Sequence, residues 1–204
     1  MHNQNTIIYF YIFFIYFLYI FYIFFIYFLY IFIYFLYYNI FLYIIMNHHS
    51  VLTLVVAAII VENIVLFIIY FNKNSGLSIR QWYNQLTFGA YAMDITSATI
   101  GAFLATLLTS NYYLQLLFVV IIGLIHDISF GTFLNSINTK SSKVLELLKN
   151  YAKENGIIIL FVDALILVST LIISNFLLSN LSITNILFIG IVLFYSGLLV
   201  VYSF

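Results

Sequence analysis

From residue 51 onward, long apolar runs alternate with short polar breaks. The pattern predicts five helices: Val51 to Phe71, Thr87 to Thr109, Tyr113 to Leu134, Ile157 to Leu178 and Asn185 to Phe204. Each is close to the roughly 20 residues that a helix rising about 1.5 Å per residue needs to cross a hydrocarbon core about 30 Å thick. The expected fold class is therefore all-α: a polytopic transmembrane helical bundle of about five spans from residue 46. The break after the third span differs from the others. In SSKVLELLKNYAKENG, Val144, Leu148, Tyr151 and Ala152 share one face while Lys143, Glu146, Lys149, Lys153 and Glu154 take the rest. This predicts an amphipathic helix stopped at Asn155-Gly156, lying along the cytoplasmic interface, with docking of a soluble partner as the alternative. Trp82 and Tyr83, in RQWYNQ, read as an aromatic interface anchor.

Residues 1–46 break this alternation. From Ile7 to Ile45 only Ile, Tyr, Phe, Leu and Asn39 occur, and YIFFIYFLYIF is written twice without a difference over residues 11–32. As one helix these residues would span about 58 Å, nearly twice the hydrocarbon core. They also hold 11 of the 19 tyrosines, whose hydroxyls favour the interface over the lipid interior. There is no basic start and no small-residue cleavage site, so a signal peptide fits poorly. The segment is either an extra membrane anchor or an extension upstream of a translation start at Met46, and the length mismatch favours the second. Residues 47–204 are then the multi-pass bundle.

Composition strengthens the membrane reading. Of 204 residues 66% are hydrophobic and 6% charged, against about a quarter charged in soluble domains. The chain has no Cys, which excludes disulfides and thiolate metal sites. Zero net charge gives no argument for nucleic-acid binding, so the expected partners are the lipid bilayer and other membrane proteins. All six basic residues avoid the spans: Lys73 and Arg80 lie in the first connection, and Lys140, Lys143, Lys149 and Lys153 in the third. Cytoplasmic connections carry the excess of Lys and Arg, so loops 72–86 and 135–156 and the C-terminus are expected on the cytoplasmic side. The sequon Asn180-Leu181-Ser182 falls on the outer side, in a loop too short for easy modification.

Four of the six acids, Glu62, Asp94, Asp127 and Asp163, fall inside apolar spans, with His126 beside Asp127. A charged carboxylate at the bilayer centre costs about 2.5–3.5 kcal/mol on insertion scales. Counted from the cytoplasmic span ends, the acids lie about 9 to 14 Å deep, so spans one to four each deliver one acid to a common layer. His126 and Asp127 point about 100° apart and can flank one site without both aiming at its centre. Asn63, Ser97 and Ser129, together with Thr96 and Ser169, could supply neutral hydrogen bonds. No Lys or Arg enters the layer, so protons, a bound cation, charged His126 or water must neutralise it.

Three readings follow. The layer is a structural network that fixes helix packing, a proton or cation site of a small transporter or channel, or a metal site for intramembrane chemistry. The third is weakest, since no HExxH or ExxH motif occurs. The second lacks the duplicated halves of a transporter. No catalytic residue or cofactor is expected, and the identity of any metal stays open.

The stretches WYNQLTFGAYAMDITSATIGAFLA, IHDISFGTFLN and LLKNYAKENGIIILFVDALILVST resemble a family of small multi-pass membrane proteins encoded by giant nucleocytoplasmic DNA viruses. The resemblance covers about residues 60–178, including Glu62-Asn63, Trp82-Tyr83, Asp94, His126-Asp127 and Asp163. It implies a viral membrane protein of the virion's internal membrane, with virion proteins among its partners, and supplies no activity; the expected role is a membrane scaffold or assembly component, with proton or cation transfer as the alternative. Members start near the first ordinary span, which fits Met46; the tyrosine-rich extension departs from that pattern.

Overall fold

The computed structural model describes residues 48–72, 76–137 and 142–204, with side chains from Ser50 onward. The aromatic repeat, Lys73 and Lys140 lie outside the described residues. Residues His48–Phe204 form one compact unit. It is an all-helical bundle, and no strand occurs among the described residues.

Its helices are α1 (His48–Phe71), α2 (Leu77–Leu86), α3 (Phe88–Leu108), α4 (Tyr112–Ser136), α5 (Lys143–Asn155), α6 (Ile158–Asn180) and α7 (Ile183–Val201). The five expected spans are α1, α3, α4, α6 and α7, and all five are long and apolar enough to cross a membrane. The amphipathic stretch is α5, capped by the Ser142 side chain and ended at Gly156. What the periodicity did not mark is α2, a ten-residue helix inside the first connection.

The arrangement is centred on α1, which packs against α7, α6 and α3, while α4 completes the bundle against α3 and α6. Close approach comes from small residues, since lipid offers no hydrophobic drive for helix association. On α3 the residues Ala90, Ala98, Gly101, Ala102 and Ala105 are all buried. Leu167 of α6 wedges between two helices: a Cβ built on Gly101 of α3 or on Gly123 of α4 would lie 2.7 Å from its methyl groups. Val56 of α1 meets Gly190 of α7 in the same way, at 2.7 Å. Outside, large apolar side chains such as Ile100, Ile125, Phe161, Leu165, Phe188 and Ile191 are exposed, as a lipid-facing surface requires.

One end of the bundle is built differently from the other. There α2 and α5 pack on each other and cover the ends of the spans. Glu154 of α5 accepts hydrogen bonds from the backbone N–H groups of Leu77 and Ser78, both at 2.8 Å, so a carboxylate from a distant helix caps the N-terminus of α2. Lys149 donates from Nζ to the carbonyl of Leu134 at 3.0 Å, near the C-terminus of α4. Arg80 donates to the carbonyls of Ile69 and Asn72 where α1 ends, both at 2.9 Å. Two of the basic residues of the first and third connections, Arg80 and Lys149, thus hold down this end. The expected interfacial helix also clamps the bundle: Leu147 is buried, and Val144 and Leu148 pack on the core.

Two corners orient this layer. Thr87, between α2 and α3, has φ 44° and ψ −118°; Gly156, between α5 and α6, has φ 53° and ψ −130°. Both sit in a left-handed conformation natural only to glycine.

Candidate functional site

The site is built where α2 crosses the ends of α1 and α3. Glu62 sits on the buried face of α1, 4% exposed, with Tyr83 of α2 directly against it at 2%. The Tyr83 hydroxyl lies 2.6 Å from Glu62 Oε1 and 2.9 Å from Asp94 Oδ2. Trp82 donates from Nε1 to that same Asp94 oxygen at 3.1 Å. Three helices therefore meet in one chain of hydrogen bonds, Glu62–Tyr83–Asp94–Trp82. The expected interface anchor is corrected here: Trp82 and Tyr83 face inward and partner the acids, and both are buried. Phe204 covers them from the end, its ring stacked on Tyr83 at 5.5 Å and its carbonyl accepting from Asn84 at 3.1 Å.

Burial, then the flanking acids Asp94 and Glu62, push the Tyr83 hydroxyl well above the ordinary phenol range. Tyr83 keeps its hydrogen. The Tyr151 hydroxyl of α5 is also raised, by burial first and then by Asp163, Asp94, Asp127 and Glu62 in that order. All four acids therefore lie within electrostatic reach of one hydroxyl under the α2–α5 layer.

The other two acids are less well provided for. Asp127 shares a 3.0 Å contact between its Oδ1 and Nδ1 of His126, and its Oδ2 is buried with no hydrogen-bond partner. His126 points out of the bundle, 61% exposed against 13% for Asp127, and its ring stacks on Phe130 at 5.9 Å. The divergence of the two side chains expected from the helical step is thus resolved as one inward acid and one outward imidazole. Asp163 of α6 is half-buried and interacts electrostatically with Asp127 and Asp94.

The supporting residues divide. Asn63 is buried, accepts from the Tyr91 hydroxyl at 3.1 Å and donates to the Leu193 carbonyl at 2.7 Å, tying α1 to α3 and α7 next to Gly197. Ser97 and Ser129, like Thr96, are exposed on the outside of α3 and α4 and hydrogen-bond none of the acids. Among the described residues, no three His, Asp or Glu side chains converge in a metal-ligating arrangement.

Sequence reasoning found the acids and missed their partners. Tyr151 already stood on the apolar stripe of α5, and a phenol on the inward face of an interfacial helix is the pattern that could have marked it. Comparison of the chain with protein-family models, with curated proteins and with solved structures gives no match.

Proposed function

We propose that this multi-pass membrane protein is a scaffold or assembly component whose acidic layer fastens the α2–α5 clamp onto the bundle. The observation that carries the reading is Tyr83, inserted between Glu62 and Asp94 at 2.6 and 2.9 Å. Those two acids are engaged in joining α1, α2 and α3. An open pathway would need them free. The resemblance of residues 60–178 to small giant-virus proteins supports a viral membrane as the setting. Arg80, Lys143, Lys149 and Lys153, gathered at the clamped end, support a cytoplasmic position for it.

A second reading, proton or cation transfer, is favoured by the unpartnered Asp127 Oδ2 beside Asp163. Intramembrane carboxylates that face the bundle interior are the usual mark of an ion path. Purified protein in liposomes, assayed for pH-driven and cation-driven flux with Asp94→Asn and Asp163→Asn as controls, separates the two. The scaffold reading expects no flux in any form and loss of folding in the Asp94 variant. Flux abolished by either substitution in folded protein would replace it with transport.

A further inference from the structure

We propose that Glu62 and Asp94 hold one proton between them, resting on Glu62, and that Tyr83 is the relay through which it exchanges. A count of hydrogens requires it. A phenol carries one hydrogen. Tyr83 meets two carboxyl oxygens, at 2.6 and 2.9 Å, inside the bundle. If both acids were ionised, one contact would press two oxygens together with no hydrogen between them. At least one carboxyl must therefore bring its own.

The donors decide which. Asp94 Oδ2 already takes the Trp82 N–H at 3.1 Å, so it is the oxygen placed to receive, and it accepts from Tyr83 as well. The phenol oxygen is then the acceptor for Glu62. The 2.6 Å contact lies within the range of an O–H···O bond from a carboxylic acid to a phenol. The resting chain is Glu62 O–H to Tyr83 O–H to Asp94 carboxylate, with one net negative charge.

Exchange moves two hydrogens. The Glu62 O–H bond breaks as one forms on the Tyr83 oxygen, and the original Tyr83 O–H bond breaks as one forms on Asp94 Oδ2. Glu62 is left as the carboxylate and Asp94 as the acid, and no charge enters or leaves. Facing this chain are Asp127 from α4 with His126 beside it, Tyr151 from α5 and Asp163 from α6. None of these is hydrogen-bonded to it.

The inference deepens the scaffold reading, since the proton becomes part of the fastening, and it does not depend on whether ions cross the membrane. The test is infrared spectroscopy of the full chain in lipid at neutral pH, reading the C=O stretch of protonated carboxyls in the parent and in Glu62→Gln, Asp94→Asn and Tyr83→Phe. The expected result is loss of one protonated carboxyl per chain in Glu62→Gln and a shift of that band in Tyr83→Phe, where its acceptor is gone. An unchanged band in Glu62→Gln overturns the proposal, as does loss confined to Asp94→Asn. Should Glu62→Gln or Asp94→Asn fail to fold, Tyr83→Phe decides alone: a shifted band supports the shared proton and an unmoved one overturns it. Flux in liposomes bears on transport and leaves this result untouched.

Discussion

At the scale of single residues, the site depends on side chains that local sequence marks as ordinary. Tyr83 and Trp82 are directed onto Glu62 and Asp94 because the chain reverses at Thr87, whose φ of 44° lets α2 fold back over the start of α3. Gly156 turns α5 into α6 with nearly the same angles and without a Cβ to strain. A non-glycine residue held there costs about 1–3 kcal/mol, maintained by the surrounding packing. Thr87→Gly is therefore expected to stabilise the protein by about 1 kcal/mol, the strain relief being partly offset by glycine's greater freedom when unfolded. Thermal unfolding in detergent checks it. A lower midpoint would mean that the Thr87 side chain makes a contact worth more than its strain.

At the scale of elements, the clamp formed by α2 and α5 has a pH dependence of its own. Hydrogen bonds from the Ser78 side chain and backbone and from the Leu77 amide hold the Glu154 carboxyl below the ordinary glutamate value of 4.5. A group whose folded value is depressed stabilises the fold at pH above its unfolded value and stops doing so as pH falls through the folded one. The clamp is thus fully engaged near neutral pH and loosens in acid. Amide exchange at Leu77 and Ser78, corrected for its intrinsic rate, should speed up below about pH 4.5 in the parent protein. In Glu154→Gln it should be fast and free of that step at every pH. Equal protection in both would show that the carboxylate does not hold α2. The spans were legible in sequence because each carries its own apolar run, and their ends fall within three residues of the expectation. The clamp was legible only in part. The stripe on α5 predicted that one face would be covered, but a stripe does not distinguish lipid from protein, and the partner, α2, starts 66 residues earlier in the chain, at Leu77 against Lys143. Tyr83 was misread for a related reason: an aromatic pair beside a basic residue has the same composition whether it faces headgroups or two carboxyls.

At the scale of the whole molecule, four acids must be held in a bundle whose total stability is of the order of 10 kcal/mol. Glu62 and Asp94 are satisfied by Tyr83 and Trp82. Asp127 is the exception, with one oxygen paired to His126 and the other buried alone. An unsatisfied buried polar atom costs about 1–3 kcal/mol, and replacing a buried charge with an apolar group of similar size is often stabilising. If the acidic layer is purely structural, Asp127 contributes nothing that a leucine would not. Asp127→Leu is then expected to raise stability by about 1–3 kcal/mol, read by denaturant titration in detergent, and to leave helix content unchanged. His126 tolerates the loss, because its ring is mostly exposed and stacked on Phe130. A fall in stability would mean that Asp127 Oδ2 meets a proton, water or cation in the working protein. The scaffold reading would then survive only for Glu62 and Asp94, and the half of the layer formed by α4 and α6 would belong to ion movement. The two halves are held by different helices, α1 to α3 for one and α4 with α6 for the other, so this single substitution asks whether one layer serves one purpose.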